Sequence, residues 1–125
     1  MLKMSNHVLL LLSIVLGVVG QILLKRGTMT QGEMTLSTHK IWSTVWKIAL
    51  NPFIISWILF AGFSAFLWIF VVSRFELTFA YPISLSLSYV LIAFFSWWLF
   101  GEHLPPVRLI GLFVMCIGIF LVYKS

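Results

Sequence analysis

Hydroxyl side chains recur inside an apolar stretch at residues 81–90, where the chain has the sequence YPISLSLSYV. This alternation is typical of a half-buried strand, but the apolar run that contains it is too long for one. On a helix, with about 100° per residue, the side chains form two faces, one with Tyr81, Ser84 and Ser88 and the other with Ser86 and Tyr89. Each face either hydrogen-bonds a polar ligand or returns its hydroxyl groups to the preceding helical turn. We expect Tyr81 and Ser84 to face a polar path and Ser86 to bond within its own helix.

A second polar stripe recurs every four residues in the first apolar run, at Ser13, Gly17, Gln21 and Lys25, with Gly20 beside it. Residues four apart lie on one face of a helix. Small residues on that face let another helix approach closely, and Gln21 adds a hydrogen-bonding group. Gln21 therefore either joins two helices or faces a ligand, and the sequence favours neither interpretation.

Basic residues stand at the ends of the apolar runs, at Lys25, Arg26, Arg74 and Arg108. Cations in these positions suit an anionic group, such as a phosphate, near a membrane surface. The acidic residues lie outside the apolar runs, at Glu33, Glu76 and Glu102. Proton-coupled export of cationic drugs depends on a carboxylate within the membrane, so the sequence argues against that activity.

Other kinds of chemistry have little support. Cys116 is the only cysteine and lies in an apolar run, which is typical of a buried structural thiol. The histidines are scattered singly, at His7, His39 and His103, without metal-ligand spacing. We therefore predict that the chain is not an enzyme and holds no metal or cofactor. The basic residues do not cluster on one polar face, so we expect no binding of nucleic acid.

The elements that must position these residues are membrane helices. The chain is 62% hydrophobic and 9% charged, with a mean hydropathy of +1.11, whereas a typical soluble domain is about 25% charged. A helix needs about 20 apolar residues to cross the hydrocarbon layer. The apolar runs predict four such helices, at about 8–24, 53–73, 79–100 and 107–123.

The links between the last three runs are short, so neighbouring helices must run antiparallel. We predict an all-α membrane protein with a single domain over residues 1–125, folded as a four-transmembrane-helix antiparallel bundle. The basic residues divide five to three between the two ends of this bundle. That excess favours a cytoplasmic position for the end with Lys25 and Arg108, and it leaves insertion in either orientation open.

The one long connection covers residues 25–52. Its first half is rich in Gly and Thr, which predicts a loop. In residues 39–50 the apolar and polar side chains occupy opposite helical faces, and Trp42 and Trp46 lie near Lys47. This pattern predicts a helix that either lies in the membrane interface or extends the second membrane helix, with a bend at Asn51.

Glycines are placed for close helix packing in two of the predicted helices. Gly17 and Gly20 belong to the stripe of the first helix. Gly111 and Gly118 share one face of the last helix with Met115. The face of the last helix predicts packing either within the bundle or between two copies of the chain.

Three segments carry a resemblance to a known family: GVVGQILLKRG at 17–27, AYPISLSLSYVLIAFFSWWLFGEHLPP at 80–106 and LIGLFVMCIGIFLVYK at 109–124. The chain resembles the small four-helix branch of the drug/metabolite transporter superfamily, which includes the small multidrug resistance exporters. It departs from those exporters at Gly17, where they carry an essential glutamate, and at Ser84, where they carry an aromatic residue. The first two segments are more similar to the subunits that flip 4-amino-4-deoxy-L-arabinose linked to undecaprenyl phosphate, which belong to a lipid A modification pathway associated with polymyxin resistance.

This resemblance implies a multi-pass protein of the bacterial inner membrane that translocates a lipid-linked sugar. Its partners would be membrane lipid, the lipid-linked sugar phosphate and a second small subunit, in a homodimer or a heterodimer whose subunits run parallel or antiparallel.

Within such a dimer, the resemblance and the polar faces together suggest how the substrate is held. The headgroup would enter a polar cavity between subunits, lined by Gln21, Tyr81, Ser84 and Ser88. The phosphate would be held at one membrane surface by Lys25 or Arg108 and at the other by Arg74. Rocking of the subunits would then expose the cavity to each side in turn.

Two alternatives stay open. One is an exporter of cationic drugs or polyamines, with its embedded acid supplied by a partner subunit. The other is a membrane subunit that transports nothing and assembles with, or regulates, an enzyme that makes lipid-linked sugars.

Overall fold

A computed structural model describes residues 6–31 and 41–125 of the chain. It contains the helices α1 (Asn6–Gln31), α2 (Ile41–Leu50), α3 (Pro52–Arg74), α4 (Leu77–Phe100) and α5 (Pro106–Lys124). No strand occurs in these two ranges. All helices except α2 are long and apolar enough to cross a membrane. The prediction of an all-α membrane protein with four spanning helices is confirmed.

Local sequence explains where these helices begin and end. Pro52 occupies the first position of α3, and the Asn51 side chain accepts a hydrogen bond from the Phe53 amide at 3.0 Å. Proline at this position lacks only an amide that would be unpaired in any case. α4 ends at Gly101, whose φ of 65° is a left-handed conformation that favours glycine. The amides of Gly101 and Glu102 both donate to the Ser96 carbonyl and so close the last turn.

The predicted loop is wrong for residues 25–31, because α1 continues as a helix to Gln31. Tertiary packing explains the difference. Gly27 is buried, and a β-carbon built on it would lie 2.9 Å from Ile54 Cγ1 of α3. Thr28 and Thr30 donate their hydroxyl groups to carbonyl oxygens three residues earlier. Close packing against α3 thus stabilises a segment whose composition disfavours a helix.

The helix predicted over 39–50 is observed over the part that the structure describes, Ile41–Leu50. Residues 39 and 40 lie outside the described ranges. α2 is a helix separate from α3, because Asn51 between them is extended, with φ −74° and ψ 119°. None of its residues is buried, and Trp42 and Trp46 are both exposed.

α1 is the central helix of the bundle. It packs along the length of α3 and also against α4, whereas α5 packs mainly on α4 and meets α1 near its own last turn, where Tyr123 contacts His7. The apolar core is built mainly by α1, through Leu9, Leu10, Ile14 and Val18. α5 contributes no buried residue. The bundle is therefore closed around α1 and open along α5.

Contacts between helix termini define two ends of the bundle. At the first, called the Arg74 end, Arg74 lies near Asn6, and the His7 ring contacts the Tyr123 ring at 5.8 Å. At the other, called the Lys25 end, Lys25 lies near Glu102, the residue that follows Gly101 at the end of α4. Successive spanning helices run in opposite directions between these ends, as predicted.

Candidate functional site

A polar cavity lies between α1, α3 and α4, with a volume of about 280 Å³. We call it the hydroxyl cavity. Its polar and small lining residues are Ser13, Gly17, Gln21, Ser64, Ser84 and Ser88. Trp57 and Trp68 add aromatic surface from α3. The predicted stripe of α1 and part of the predicted polar face of α4 therefore line the same space within one chain.

The hydroxyl groups of Ser84 and Ser88 have no hydrogen-bond partner within the described part of the chain. Both residues are half-buried. By contrast, Ser56 and Ser73 each donate to a carbonyl of their own helix, at 2.8 and 2.7 Å. The alternative in which a serine bonds its own backbone is therefore not what the structure has at Ser84 and Ser88. Their unpaired hydroxyl groups are available to a polar ligand.

Ser86 does not make the hydrogen bond to its own helix that the sequence predicted, in the described ranges. It is half-buried and lies on another face of α4 from Ser84. Because it is not among the described residues that line the hydroxyl cavity, it adds nothing to the site.

Ser13 and Ser64 fix the wall of this cavity by exchanging hydrogen bonds between α1 and α3. The Ser64 hydroxyl donates to the Ser13 carbonyl at 2.7 Å, and the Ser13 hydroxyl donates to the Ser64 carbonyl at 3.3 Å. Gly17 makes room for this pair, since a β-carbon there would lie 3.3 Å from Ser64 Oγ. The same construction on Gly20 meets Phe60 Cβ at 3.3 Å. The predicted close packing at Gly17 and Gly20 is what the structure has.

Gln21 also lines a second cavity, called the end cavity, with a volume of about 250 Å³. This space reaches the Lys25 end, where Lys25, Ser96 and Glu102 contribute its polar surface. The Gln21 side chain is exposed and makes no hydrogen bond to another helix in the described ranges. It is therefore placed to contact a ligand in either cavity, and among the described residues it joins no two helices through a hydrogen bond.

The cations predicted to hold a phosphate lie at both ends and have partners. Lys25 Nζ is 3.8 Å from Glu102 Oε1 at one end. Arg108 Nη1 donates to the His103 carbonyl at 3.2 Å. At the opposite end, Arg74 Nη1 donates to Asn6 Oδ1 at 3.3 Å. Lys25 is the cation of this set that lines the cavities described so far.

Tyr81 lies apart from the other predicted site residues. It is 51% exposed and is not among the described residues that line the hydroxyl cavity. Its ring centre is 6.2 Å from that of Trp68, which does line the cavity. Tyr81 thus reaches the site only through its contact with Trp68.

The glycines of α5 have no neighbour of the kind found at Gly17 and Gly20. A β-carbon built on Gly111 or Gly118 meets no described atom within 4 Å. Packing of this face within one chain, one of the two predicted alternatives, is absent from the described residues.

Sequence reasoning did not assign Ser64, Ser96 or Glu102 to the site. Ser64 carries a usable signal, because a single serine in the middle of an apolar run is a candidate for hydrogen bonding between helices. Ser96 and Glu102 carry none. Their positions near Lys25 depend on the lengths of two helices and on the turn at Gly101.

Comparison with known proteins finds no relative of this chain. No protein-family model matches the chain, and neither a curated protein nor a solved structure matches it.

Proposed function

We propose that the chain is a transporter subunit that translocates a lipid-linked sugar phosphate across the cytoplasmic membrane of a bacterium. The headgroup that the sequence resemblance suggests is an aminosugar linked to undecaprenyl phosphate. The observation that carries the proposal is the position of Gln21, which lines both the hydroxyl cavity and the end cavity. Polar groups therefore follow α1 from the middle of the bundle, at Ser13, to its Lys25 end.

The chemistry of the lining suits a sugar better than a cationic drug. Ser84, Ser88 and Gln21 offer neutral groups that both donate and accept hydrogen bonds, as sugar hydroxyl groups require. No carboxylate of the described residues lines the hydroxyl cavity. Glu76 stands before the first residue of α4, and Glu102 lies beyond the last residue of that helix. This arrangement supports a headgroup that is held by hydrogen bonds, and it offers no carboxylate counter-ion to a cationic drug in the middle of the bundle.

The size of the path supports a small headgroup whose lipid chain stays outside. Ligand sites in proteins measure roughly 300–1,000 Å³, and the two cavities have volumes of about 280 and 250 Å³. One sugar fits such a space, whereas a long prenyl chain does not. The chain would remain in the surrounding lipid, against the apolar outer faces of the helices.

A second subunit belongs to this proposal, as a homodimer or as a heterodimer with a related small membrane protein. α5 buries no residue in the described chain, and the glycines of its smooth face have open space before them. Close packing on small residues is how helices associate inside a membrane. A partner helix on this face would cover α5.

Reconstitution into lipid vesicles tests the proposed function. A polyprenyl-phosphate sugar is placed in one leaflet, and the rate at which its headgroup becomes accessible from the other side is measured. We expect this rate to rise with the amount of protein. Proton-coupled uptake of a cationic dye, measured in the same vesicles, tests the alternative that the protein exports cationic drugs. Dye uptake without movement of the lipid-linked sugar would contradict the proposal.

A further inference from the structure

A third cavity lies at the Lys25 end, outside the path described above. It has a volume of about 340 Å³ and is lined by Arg26, Met29, Thr30, Leu99 and Phe100. We call it the Arg26 cavity. Its residues belong to the last turns of α1 and α4. Because helix ends lie at the level of the lipid headgroups, this cavity faces the interface between headgroups and hydrocarbon.

Arg26 differs from the other cations at this end. Lys25 is paired with Glu102, and the Arg108 guanidinium donates to the His103 carbonyl. Arg26 is exposed and makes no hydrogen bond or ion pair with any residue in the described ranges. A guanidinium that has no partner among the described residues and lies at the wall of a cavity is available to a ligand.

The remaining lining residues decide what kind of ligand fits. The Thr30 hydroxyl already donates to the Gly27 carbonyl at 2.8 Å, so it offers no proton to an anion. The Arg26 guanidinium supplies the donors, in a planar fork that matches two oxygens of a phosphate. Leu99 and Phe100 form an apolar wall beside it. A ligand with both a phosphate and a hydrocarbon chain satisfies both parts of the cavity.

Two helix ends oppose an anion at this site. α1 and α4 both terminate at the Lys25 end, and the carboxyl end of a helix carries partial negative charge. The amides of Gly101 and Glu102 cap the last turn of α4 and reduce this effect there. Charge-assisted bonds from a guanidinium are stronger than the remaining dipole. Arg26 is therefore the group on which anion binding here depends.

We propose that the Arg26 cavity binds the phosphate of a membrane lipid, with the lipid chain against Leu99 and Phe100. Phe100 also lines the end cavity, so the two sites are neighbours. In identifying this lipid as the transported polyprenyl phosphate, the inference rests on the proposed function. Arg26 would then hold the substrate before its headgroup enters the path, while Lys25 is still paired with Glu102.

Lipid binding to the purified full chain tests this inference without a transport assay. Native mass spectrometry gives the dissociation constants of a polyprenyl phosphate and of phosphatidylglycerol, and calorimetry gives that of inorganic phosphate. We expect Arg26→Gln to raise the dissociation constant of the polyprenyl phosphate roughly tenfold to a hundredfold, the range for loss of a charge-assisted hydrogen bond. Arg26→Lys should keep part of the affinity. Lys124→Gln removes one charge at the opposite end and should change nothing.

Each probe has an outcome that decides a part of the proposal. Equal affinity of the wild-type chain and Arg26→Gln for the polyprenyl phosphate would overturn the site. If inorganic phosphate bound as tightly as the lipids, the hydrocarbon chain of the lipid would add nothing to binding, which would contradict its proposed contact with Leu99 and Phe100. Equal affinity for phosphatidylglycerol and the polyprenyl phosphate would remove the link to the transported lipid. Arg26-dependent lipid binding in a chain that fails to move the lipid would leave this site standing and contradict only the proposed function.

A second variant keeps the test decisive where Arg26→Gln fails to fold, which circular dichroism would reveal. Leu99→Asn retains the guanidinium and changes the apolar wall at a residue that is already 46% exposed. We expect it to weaken the binding of both lipids, while the helical content stays that of the wild-type protein. Unchanged lipid binding in this variant would contradict the proposed contact between the hydrocarbon chain of the lipid and Leu99.

Discussion

Lys25 Nζ lies 3.8 Å from Glu102 Oε1, which ties α1 to the turn that follows α4. The two side chains are 50% and 45% exposed, so the surrounding solvent screens their attraction. Ion pairs of this kind contribute about 0–1 kcal/mol. Both residues also line the end cavity with Gln21. A weak pair across the opening of a polar path breaks at little cost, and an arriving phosphate competes with Glu102 for Lys25.

The first prediction concerns this ion pair. In Glu102→Gln, Lys25 loses its partner and is free to bind an anionic group at the end cavity. We expect the rate at which the headgroup of a polyprenyl-phosphate sugar crosses vesicle membranes to rise by up to about fivefold, since that factor corresponds to about 1 kcal/mol. Lys25→Gln should lower the same rate.

Glu76→Gln is the matched control, because Glu76 lies at the Arg74 end and its side chain makes no capping hydrogen bond. It removes the same charge and should leave the rate unchanged. A fall in rate with Glu102→Gln as large as that with Lys25→Gln would show that translocation needs the carboxylate itself. It would exclude the interpretation that Glu102 only competes with the phosphate for Lys25.

The second prediction separates the two interpretations of Gln21. Since Gln21 makes no hydrogen bond to another helix among the described residues, Gln21→Leu should leave thermal stability in detergent within about 0.5 kcal/mol of the wild-type value. Translocation should fall by about tenfold, because the ligand loses one or more hydrogen bonds in both cavities. Unfolding midpoints and headgroup accessibility are measured on the same preparation. Loss of stability with unchanged translocation would identify Gln21 as a packing residue.

Much of the fold follows from the sequence because lipid leaves the backbone few options. Apolar runs of sufficient length must be helices in a membrane, and short links make neighbours antiparallel. The stripe from Ser13 to Lys25 was predictable for the same reason, since helical periodicity alone places these residues on one face.

The remainder depends on how helices pack, which periodicity does not contain. Gly27 was predicted to lie in a loop because glycine disfavours helices, and its packing against Ile54 reverses that expectation. The pairing of Lys25 with Glu102 depends on the turn at Gly101. Tyr81 shares a helical face with Ser84, yet it contacts the cavity-lining residue Trp68 and does not itself line the hydroxyl cavity.

The third prediction concerns Asn51, a polar residue that is only 7% exposed. Its Nδ2 donates to the Gly27 carbonyl at 3.0 Å, while its Oδ1 accepts from the Phe53 amide. Asn51→Ala removes the cap of α3 and one donor to the Gly27 carbonyl of α1, which still accepts from the Thr30 hydroxyl. We expect the free energy of unfolding to fall by about 1–3 kcal/mol, measured by denaturant titration in mixed micelles. Ser56→Ala, which loses only a hydrogen bond within α3, should cost less than half as much. Equal losses in the two variants would contradict this role.

The fourth prediction compares two glycines that differ in their surroundings. In Gly27→Ala the new β-carbon would lie 2.9 Å from Ile54 Cγ1 and 3.1 Å from Phe53 Cβ. Such overpacking costs about 1–3 kcal/mol, more than the roughly 0.5–1 kcal/mol that alanine gains over glycine in a helix. Gly62→Ala meets no described atom within 4 Å and should be stabilising. Thermal unfolding in detergent measures both, and an increase in stability for Gly27→Ala would contradict the packing of α1 on α3.

The fifth prediction tests whether a second subunit covers α5. Gly118→Leu meets no described atom within 4 Å of its β-carbon, so the folded chain should tolerate it, and leucine forms helices better than glycine. A partner helix packed closely on this face would be pushed away. We therefore expect the dimer fraction in vesicles, measured by energy transfer between labelled copies, to fall several-fold while the helical content stays constant. Gly62→Leu places the same side chain on an exposed position of α3 and is the matched control. Dimerisation lost with Gly62→Leu but kept with Gly118→Leu would move the subunit interface from α5 to α3.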